Sequence, residues 1–425
     1  MRTTVDSTRL IADVAVVGGG VAGSSVAAVL ASTGLSVVLI EREVRFRDRV
    51  RGESIHPWGM REVQALGLAD VLQSAGANQL PLWEGYANRT PAGGGRYAVL
   101  GPDVPNEVAV YHPALQSALL DHASESGVRV LRPARVTGFS RGASPRLHVE
   151  TDSSEYDVHA RLLIGADGRQ SVARRWVGAK TVREPVHHQV GGCLLDDVAL
   201  PDDTFATAGL AGGMVLLFPQ GGGRVRTYVV GNDEVVAPLR GREHVADYIA
   251  CCASVFPEGA FADARPIGPL AFFPNADIWS DRLYNDGVVL IGDAAGANDP
   301  SGGHGLSLCF RDVRVIRDRL TSGEDWDTTL RAYEADRATY YSVLRDCLQW
   351  LAILMTEVGP EADARRERVG RAREADPNRG GFARMDVTGP DGLVTDEAAR
   401  RHYFGEDLDD IASPNAHSIT IPTTN

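Results

Sequence analysis

At 425 residues, 44% apolar and 7% aromatic, the chain can bury a sizeable core as two domains or as one large α/β domain with insertions. A net charge of −13 argues against nucleic acid or an anionic membrane surface as its main partner. The five cysteines (Cys193, Cys251, Cys252, Cys309, Cys347) lack metal-ligand spacing, so reduced thiols in a cytoplasmic protein without a metal are expected.

The first ten residues are polar, without the apolar core of a signal segment. Asp13–Val17, short and β-branched, reads as a buried parallel strand. Gly18-x-Gly20-x-x-Gly23 follows at once. Ser24–Thr33 has helical spacing, Gly34 ends the helix, and Leu35–Ile40 reads as a second buried strand with Glu41 at its end. Gly18 allows a tight turn, Gly20 lets a pyrophosphate approach the backbone, and Gly23 lets helix and strand pack closely. Val21 and Ala22 open the helix, whose free N–H groups and positive dipole end suit a phosphate. Glu41 is placed to accept hydrogen bonds from a ribose. The glycines and serines of 14–40 fit this nucleotide motif better than a membrane span. A non-binding βαβ unit is the plain alternative.

Arg42–Val50 is an arginine-rich, exposed loop. Arg51-Gly-Glu-Ser-Ile-His-Pro57 comes next, followed by helical spacing at Met60, Val63, Leu66, Leu68 and Leu72. The βαβ unit with this RGESIHP loop resembles FAD-dependent enzymes of the para-hydroxybenzoate hydroxylase type. Within them it is most similar to the branch shared with flavin-dependent halogenases and geranylgeranyl reductases. The resemblance implies that Arg51, Gly52, Glu53 and Ser54 flank the isoalloxazine and that Arg42 contacts the cofactor beside Glu41. Ser54 reads equally as a helix cap.

Gln79–Asn106 is an excursion towards a substrate domain, with hairpin character, and 108–127 runs from strand to helix. His112 stands where the family carries an arginine that reaches the FAD phosphates; it touches FAD or shapes the helix entrance. Val136, on one of two short strands (128–131 and 136–139), matches the position whose backbone pairs with adenine. In RLLIGADGRQSVARRWV (161–177), a strand delivers Asp167 and Gly168, then Ser171 and Arg174. This resembles the DGxxSxxR motif implicated in FAD and NAD(P)H contacts; the local alternative is a left-handed turn with an N-cap serine.

Strands at 190–195, 214–218 and 225–230, a glycine turn at 219–223, a helix at 246–256 and a strand at 268–274 make up a mixed sheet. His187, His188 and Gln189 line a pocket or sit at the rim. In GVVLIGDAAGANDPSGGHGLS (287–307), the resemblance implies that Asp293 hydrogen-bonds the ribityl chain. It also implies that Pro300, Gly303, Gly305 and Leu306 approach the pyrimidine edge. Helix N–H groups there suit an anionic reduced flavin. His304 lies against the ring or fills the turn. One or two long helices at 326–357 precede a charged helix face and the end SPNAHSITIPTTN, which is disordered or covers a neighbouring chain's active site.

The expected fold is α/β: a Rossmann-like FAD-binding domain (10–80, 107–180, 282–325), an inserted mixed β-sheet substrate domain (81–106, 181–281) and a helical C-terminal part (326–425). The resemblance implies a monooxygenase in which NADPH or NADH transiently reduces FAD and O2 forms a flavin C4a-hydroperoxide. One oxygen atom then hydroxylates or epoxidises a small aromatic or polyene molecule of the secondary-metabolite kind. Arg51, His56 and His304 are the candidate catalytic side chains. A reductase or dehydrogenase acting on a C–C bond without oxygen insertion is the alternative. A halogenase fits poorly, since Lys180 is the only lysine and no WxWxIP motif occurs; a non-enzymatic FAD sensor ranks third. The partners expected are substrate and O2, with no nucleic acid and no membrane insertion, in a monomer or homodimer.

Overall fold

Consecutive rather than alternating apolar residues form the central strands, because both faces of a parallel sheet are covered. Residues 14–17, 37–40 and 162–165 are buried throughout. The computed structural model describes residues 7–142, 144–376, 379 and 382–408. Arg129–Leu131, Val37–Ile40, Thr8–Val17, Glu155–Gly165 and Val288–Leu290 lie side by side and parallel. Tyr284–Asn285 adds an antiparallel edge, and the ribbon Ala134–Ser140/Arg146–Thr151 pairs onto Glu155–Gly165. The first strand begins at Thr8, earlier than its apolar run, because residues 8–12 pair with 156–160. The first helix spans Val21–Ala31, so it starts directly after the Gly20 turn.

The second sheet is ordered Arg265–Pro266, His188–Asp196, Arg224–Gly231, Gly213–Gly221, Thr204–Leu210, Leu82–Ala87, Thr90–Arg96, with Ala271–Asn275 also on His188–Asp196. It is mixed, since Thr204–Leu210 and Leu82–Ala87 run parallel among antiparallel neighbours. The 79–106 excursion is indeed a hairpin, turned at Asn88 and Arg89 with φ of 49° and 65°. Thr204–Leu210 (TFATAGL) escapes a sequence reading because its small residues carry no alternation.

Side chains alternate across this sheet. Val215, Leu217, Val225 and Val229 pack under Tyr248 and Cys252 of the Val245–Ala253 helix and under Phe256. Met214, Leu216, Phe218 and Val230 pack on the other side with Val50, Leu80 and Ala109. One 31-residue helix, Trp326–Thr356, follows the Gly305–Leu320 helix. The charged run forms Pro360–Ala375, mostly exposed as expected. The five cysteines are free thiols, and no described helix is long and apolar enough to cross a membrane. Residues 409–425, with the whole SPNAHSITIPTTN end, lie outside the described residues.

Candidate functional site

Register brings the motifs together. Val17 pairs with both Ile40 and Gly165, and Gly165 pairs with Leu290. Gly18, Glu41, Asp167 and Asp293 therefore all follow strand C-termini at one edge of one sheet, where ligands of open α/β sheets bind. Gly18 (φ 105°) is locked in place: a Cβ would lie 2.4 Å from the Ala166 carbonyl oxygen. At Gly23 a Cβ would stand 1.7 Å from the Gly18 carbonyl oxygen. At Gly20 it would meet nothing nearer than Gln116 Nε2 at 3.6 Å. That cradle is open, and no side chain caps the helix N-terminus formed by Val21 and Ala22. Glu41 is buried, accepting from the Gly19 and Glu43 amides at 2.6 Å each. Arg42, Arg45, Arg47 and Arg135 line a cavity of about 390 Å³ beside it. Val136 lies on the adjoining ribbon opposite Val149.

The second and third motifs are tied together by one side chain. Arg174 is buried and donates to the carbonyls of Ala294, Arg169 and Asp293 at 2.8, 2.8 and 2.7 Å. Asp167 Oδ2 accepts from the Val172 and Ala173 amides at 2.7 and 3.3 Å, so the aspartate caps the helix, with the left-handed Gly168 between. Its Oδ1 is buried without a partner. The half-buried Asp293 carboxylate accepts no hydrogen bond among the described residues. From behind, Asp312 accepts from the Gly292 amide at 2.7 Å, Arg337 Nε at 2.9 Å and Tyr340 Oη at 2.6 Å. Nothing in the sequence marks this buttress beyond helical spacing.

The turn that follows is built by Asp299. It accepts from the Ser301 amide and hydroxyl at 2.8 and 2.7 Å and from Asn275 at 2.8 Å. Burial opposes its charge, yet hydrogen bonds from His188 and Ser301 hold its pKa below the usual range. His188 is buried at 2.8 Å from Ser301 Oγ, linking the second sheet to the turn, while its neighbour His187 is exposed and Gln189 donates to Asp233. The Gly303 amide is taken by the Pro300 carbonyl at 3.0 Å. The open donors are therefore the first amides of the Gly305–Leu320 helix, Gly305 and Leu306 among them, which no side chain caps. A Cβ at Gly305 would find only Asn298 Oδ1 at 3.9 Å, so this approach is clear.

In the RGESIHP loop the side chains divide. Glu53 is buried beside Arg226 (3.2 Å) and accepts from Tyr228; burial pushes its carboxyl up against the pull of Arg226. Ser54 donates to the buried Glu107. Both side chains are thus committed to the protein, and the Glu53 carbonyl accepts from the Val110 amide at 2.8 Å. His112 Nδ1 lies 2.7 Å from the Gly52 carbonyl, and a Cβ at Gly52 would strike its ring, so it shapes the helix entrance. Arg51 alone has no hydrogen bond or ion pair among the described residues. Its guanidinium lies 6.0 Å from the Phe273 ring centre; burial and Arg169 lower its pKa while Asp293 opposes. His56 and His304 are buried ring against ring at 4.4 Å, so neither stands open to a substrate.

An open phosphate cradle, an aspartate that accepts no hydrogen bond among the described residues at another strand end of the same sheet, and an uncapped helix start together fit a flavin dinucleotide. Residues 11–344 match the FAD binding domain family. The chain belongs to that family. This FAD protein shares its fold with flavoprotein monooxygenases: anhydrotetracycline hydroxylase from Streptomyces rimosus superposes with TM-score 0.70 at 21% identity, over 90% of this chain and 76% of that one. Squalene monooxygenase of Mus musculus is 26% identical over 367 residues, 79% of this chain and 60% of the relative. This FAD-family chain therefore spans about 60% of the length of that relative. A digeranylgeranylglycerophospholipid reductase of Methanothrix thermoacetophila is 29% identical over 342 residues, 76% of this chain and 82% of the relative.

Proposed function

We propose that this flavoprotein is an NAD(P)H-using monooxygenase that hydroxylates or epoxidises a small, largely apolar organic molecule. The carrying observation is the second sheet's apolar face. Met214, Leu216, Phe218, Ala271 and Phe273, with Leu351 and Met355 of the long helix, stand beside Val50 and Arg51 of the flavin loop. The alternate residues Val215, Leu217, Leu270 and Phe272 pack on the opposite side, so half of each strand forms the wall. When bound, FAD supplies hydride acceptance and O2 activation. The chain's own residues orient and enclose. The Gly20 cradle and helix start hold the pyrophosphate, and Asp293 accepts from the ribityl hydroxyls. The amides of Gly305 and Leu306 donate to the pyrimidine edge, where negative charge develops. The apolar wall excludes water from the reacting atoms, and Arg51, which has no hydrogen bond or ion pair among the described residues, orients a polar end of the substrate.

The test is product mass spectrometry under 18O2 with NADH or NADPH and a panel of polyene and polycyclic aromatic compounds. One 18O atom in the product is expected. The second reading, reduction or desaturation of a C–C bond, is favoured by the reductase relative, which this chain matches over more of its length than it does the squalene monooxygenase. Unlabelled product formed equally well without O2 would select it.

A further inference from the structure

Behind the 300–306 turn lies a buried group of side chains that the proposed reaction does not use. His56 Nε2 stands 2.7 Å from the Gly302 carbonyl oxygen. A carbonyl only accepts, so Nε2 carries a proton. His56 Nδ1 faces Glu107 Oε1 at 3.6 Å and Asp386 Oδ1 at 3.8 Å and is otherwise unpartnered. Trp58 Nε1 lies 3.1 Å from His304 Nδ1. An indole only donates, so His304 Nδ1 is bare and its proton sits on Nε2, which faces Asp386 Oδ1 at 3.5 Å. Asp386 thus lies between two ring N–H groups. The same assignment argues against a metal ion held by His56, His304 and Asp386, because His304 would have to give up its only proton.

Asp386 comes from the Phe382–Thr388 helix, and that segment is fastened to the flavin side of the molecule. Arg311 of the Gly305–Leu320 helix grips Asp391 with two bonds of 3.0 and 2.5 Å. Arg61 donates to the Val387 carbonyl at 2.9 Å, and Gly389 (φ 65°) packs so closely on Trp58 that a Cβ would be 2.7 Å from the indole. Gly303 in turn packs on His56, a Cβ there lying 2.9 Å from Nε2.

We propose that His56 is a positioning residue through which the C-terminal segment sets the charge behind the flavin turn, one ring nitrogen holding Gly302 and the other facing Glu107 and Asp386. Burial alone would lower the His56 pKa, but Asp386 and Glu107 raise it to about 9, so the ring is cationic at neutral pH. Burial and the His56 charge hold His304 well below its ordinary value, so that ring is neutral. One fixed cation next to the turn favours the anionic reduced flavin over the oxidised form. Burial and Glu107 raise the Asp386 carboxyl from 3.8 to about 7, and its charge in turn holds the proton on His56, so removing that charge weakens the cation.

This rests on the flavin lying against the 300–306 turn, as proposed above. The experiment is the midpoint potential of bound FAD at about pH 6 and about pH 8 in the wild type, His56→Gln and Asp386→Asn, together with FAD affinity of Gly305→Val. Glutamine keeps a donor for Gly302 without the charge. In His56→Gln the preference for reduced flavin should fall about tenfold, about 30 mV for a two-electron couple. Asp386→Asn should match the wild type at about pH 6, where asparagine mimics the protonated carboxyl, and favour reduced flavin less at about pH 8, where the ring loses its proton. A merely loosened turn would shift Asp386→Asn equally at both pH values, and that result, or an unmoved potential in His56→Gln or in Asp386→Asn at the higher pH, overturns the inference. If Gly305→Val weakens FAD while those potentials stay put, the flavin site stands and the inference alone falls. If Gly305→Val binds FAD normally, the flavin is not at the turn and both fall.

Discussion

Gly20 and Gly23 answer to different constraints, and substitution separates them. Gly23→Ala forces a methyl into the Gly18 carbonyl and should cost about 1–3 kcal/mol by overpacking. Gly20 has room for a side chain within the protein, so Gly20→Val should melt near the wild-type temperature yet purify with little FAD, because the valine occupies the pyrophosphate's place. A yellow Gly20→Val protein with full flavin content would refute the cradle. Asp293→Ala should keep the fold, since its side chain holds no described residue, and should weaken FAD about ten- to hundredfold, on the order of 1.5–3 kcal/mol for a charge-assisted bond. Calorimetric titration of apoprotein with FAD checks it. Asp277 is a different case: burial and Asp299 raise its pKa from 3.8 to about 8. The stability from keeping this proton is full below the unfolded pKa and is lost as pH rises through the folded one. Asparagine mimics the protonated form, so Asp277→Asn should match the wild type in melting temperature near about pH 3 and exceed it near about pH 9. Equal melting curves at both pH values would show that the carboxyl ionises normally.

At the scale of elements, the glycine-aspartate loop after Val288–Leu290 is held by two helices rather than by its own sequence. Asp312 on one helix neutralises Arg337 on the other, and Arg337 also reaches the Gly292 and Gly296 carbonyls at 3.3 and 3.1 Å. All of this is buried. Asp312→Asn would leave a buried guanidinium without its counter-charge, a loss of about 3–5 kcal/mol. Because the loop carries Asp293, FAD retention should fall with it. Chemical denaturation of the variant, paired with Arg337→Met/Asp312→Leu, checks the cause: the double variant should recover much of the lost stability. The same logic explains why Arg174 was legible only as a motif member. Its position in DGxxSxxR pointed to cofactor contact, yet the structure spends the side chain on three backbone carbonyls of both motifs.

For the molecule as a whole, one sheet supplies the cofactor edge and another an apolar wall, with the long helix packed against both through Tyr333, Leu351 and Met355. Local sequence was sufficient for the central apolar strands of the first sheet. They are continuous apolar runs ended by a glycine or an acid, so the strand ends that carry Gly18, Glu41, Asp167 and Asp293 were legible, whereas a cofactor role for Asp167 and Asp293 was implied only by the family resemblance. Apart from Thr204–Leu210, the second sheet was largely legible as strands but not as faces, because alternate residues sort to a side only once the partner layers are known. The roles of Glu53, Ser54, His56, His112 and His304 were decided by tertiary structure alone. Their partners Arg226, Glu107, Gly302, Gly52 and Trp58 lie mostly tens to hundreds of residues away, and a buried polar group's role follows from whichever distant partner satisfies it.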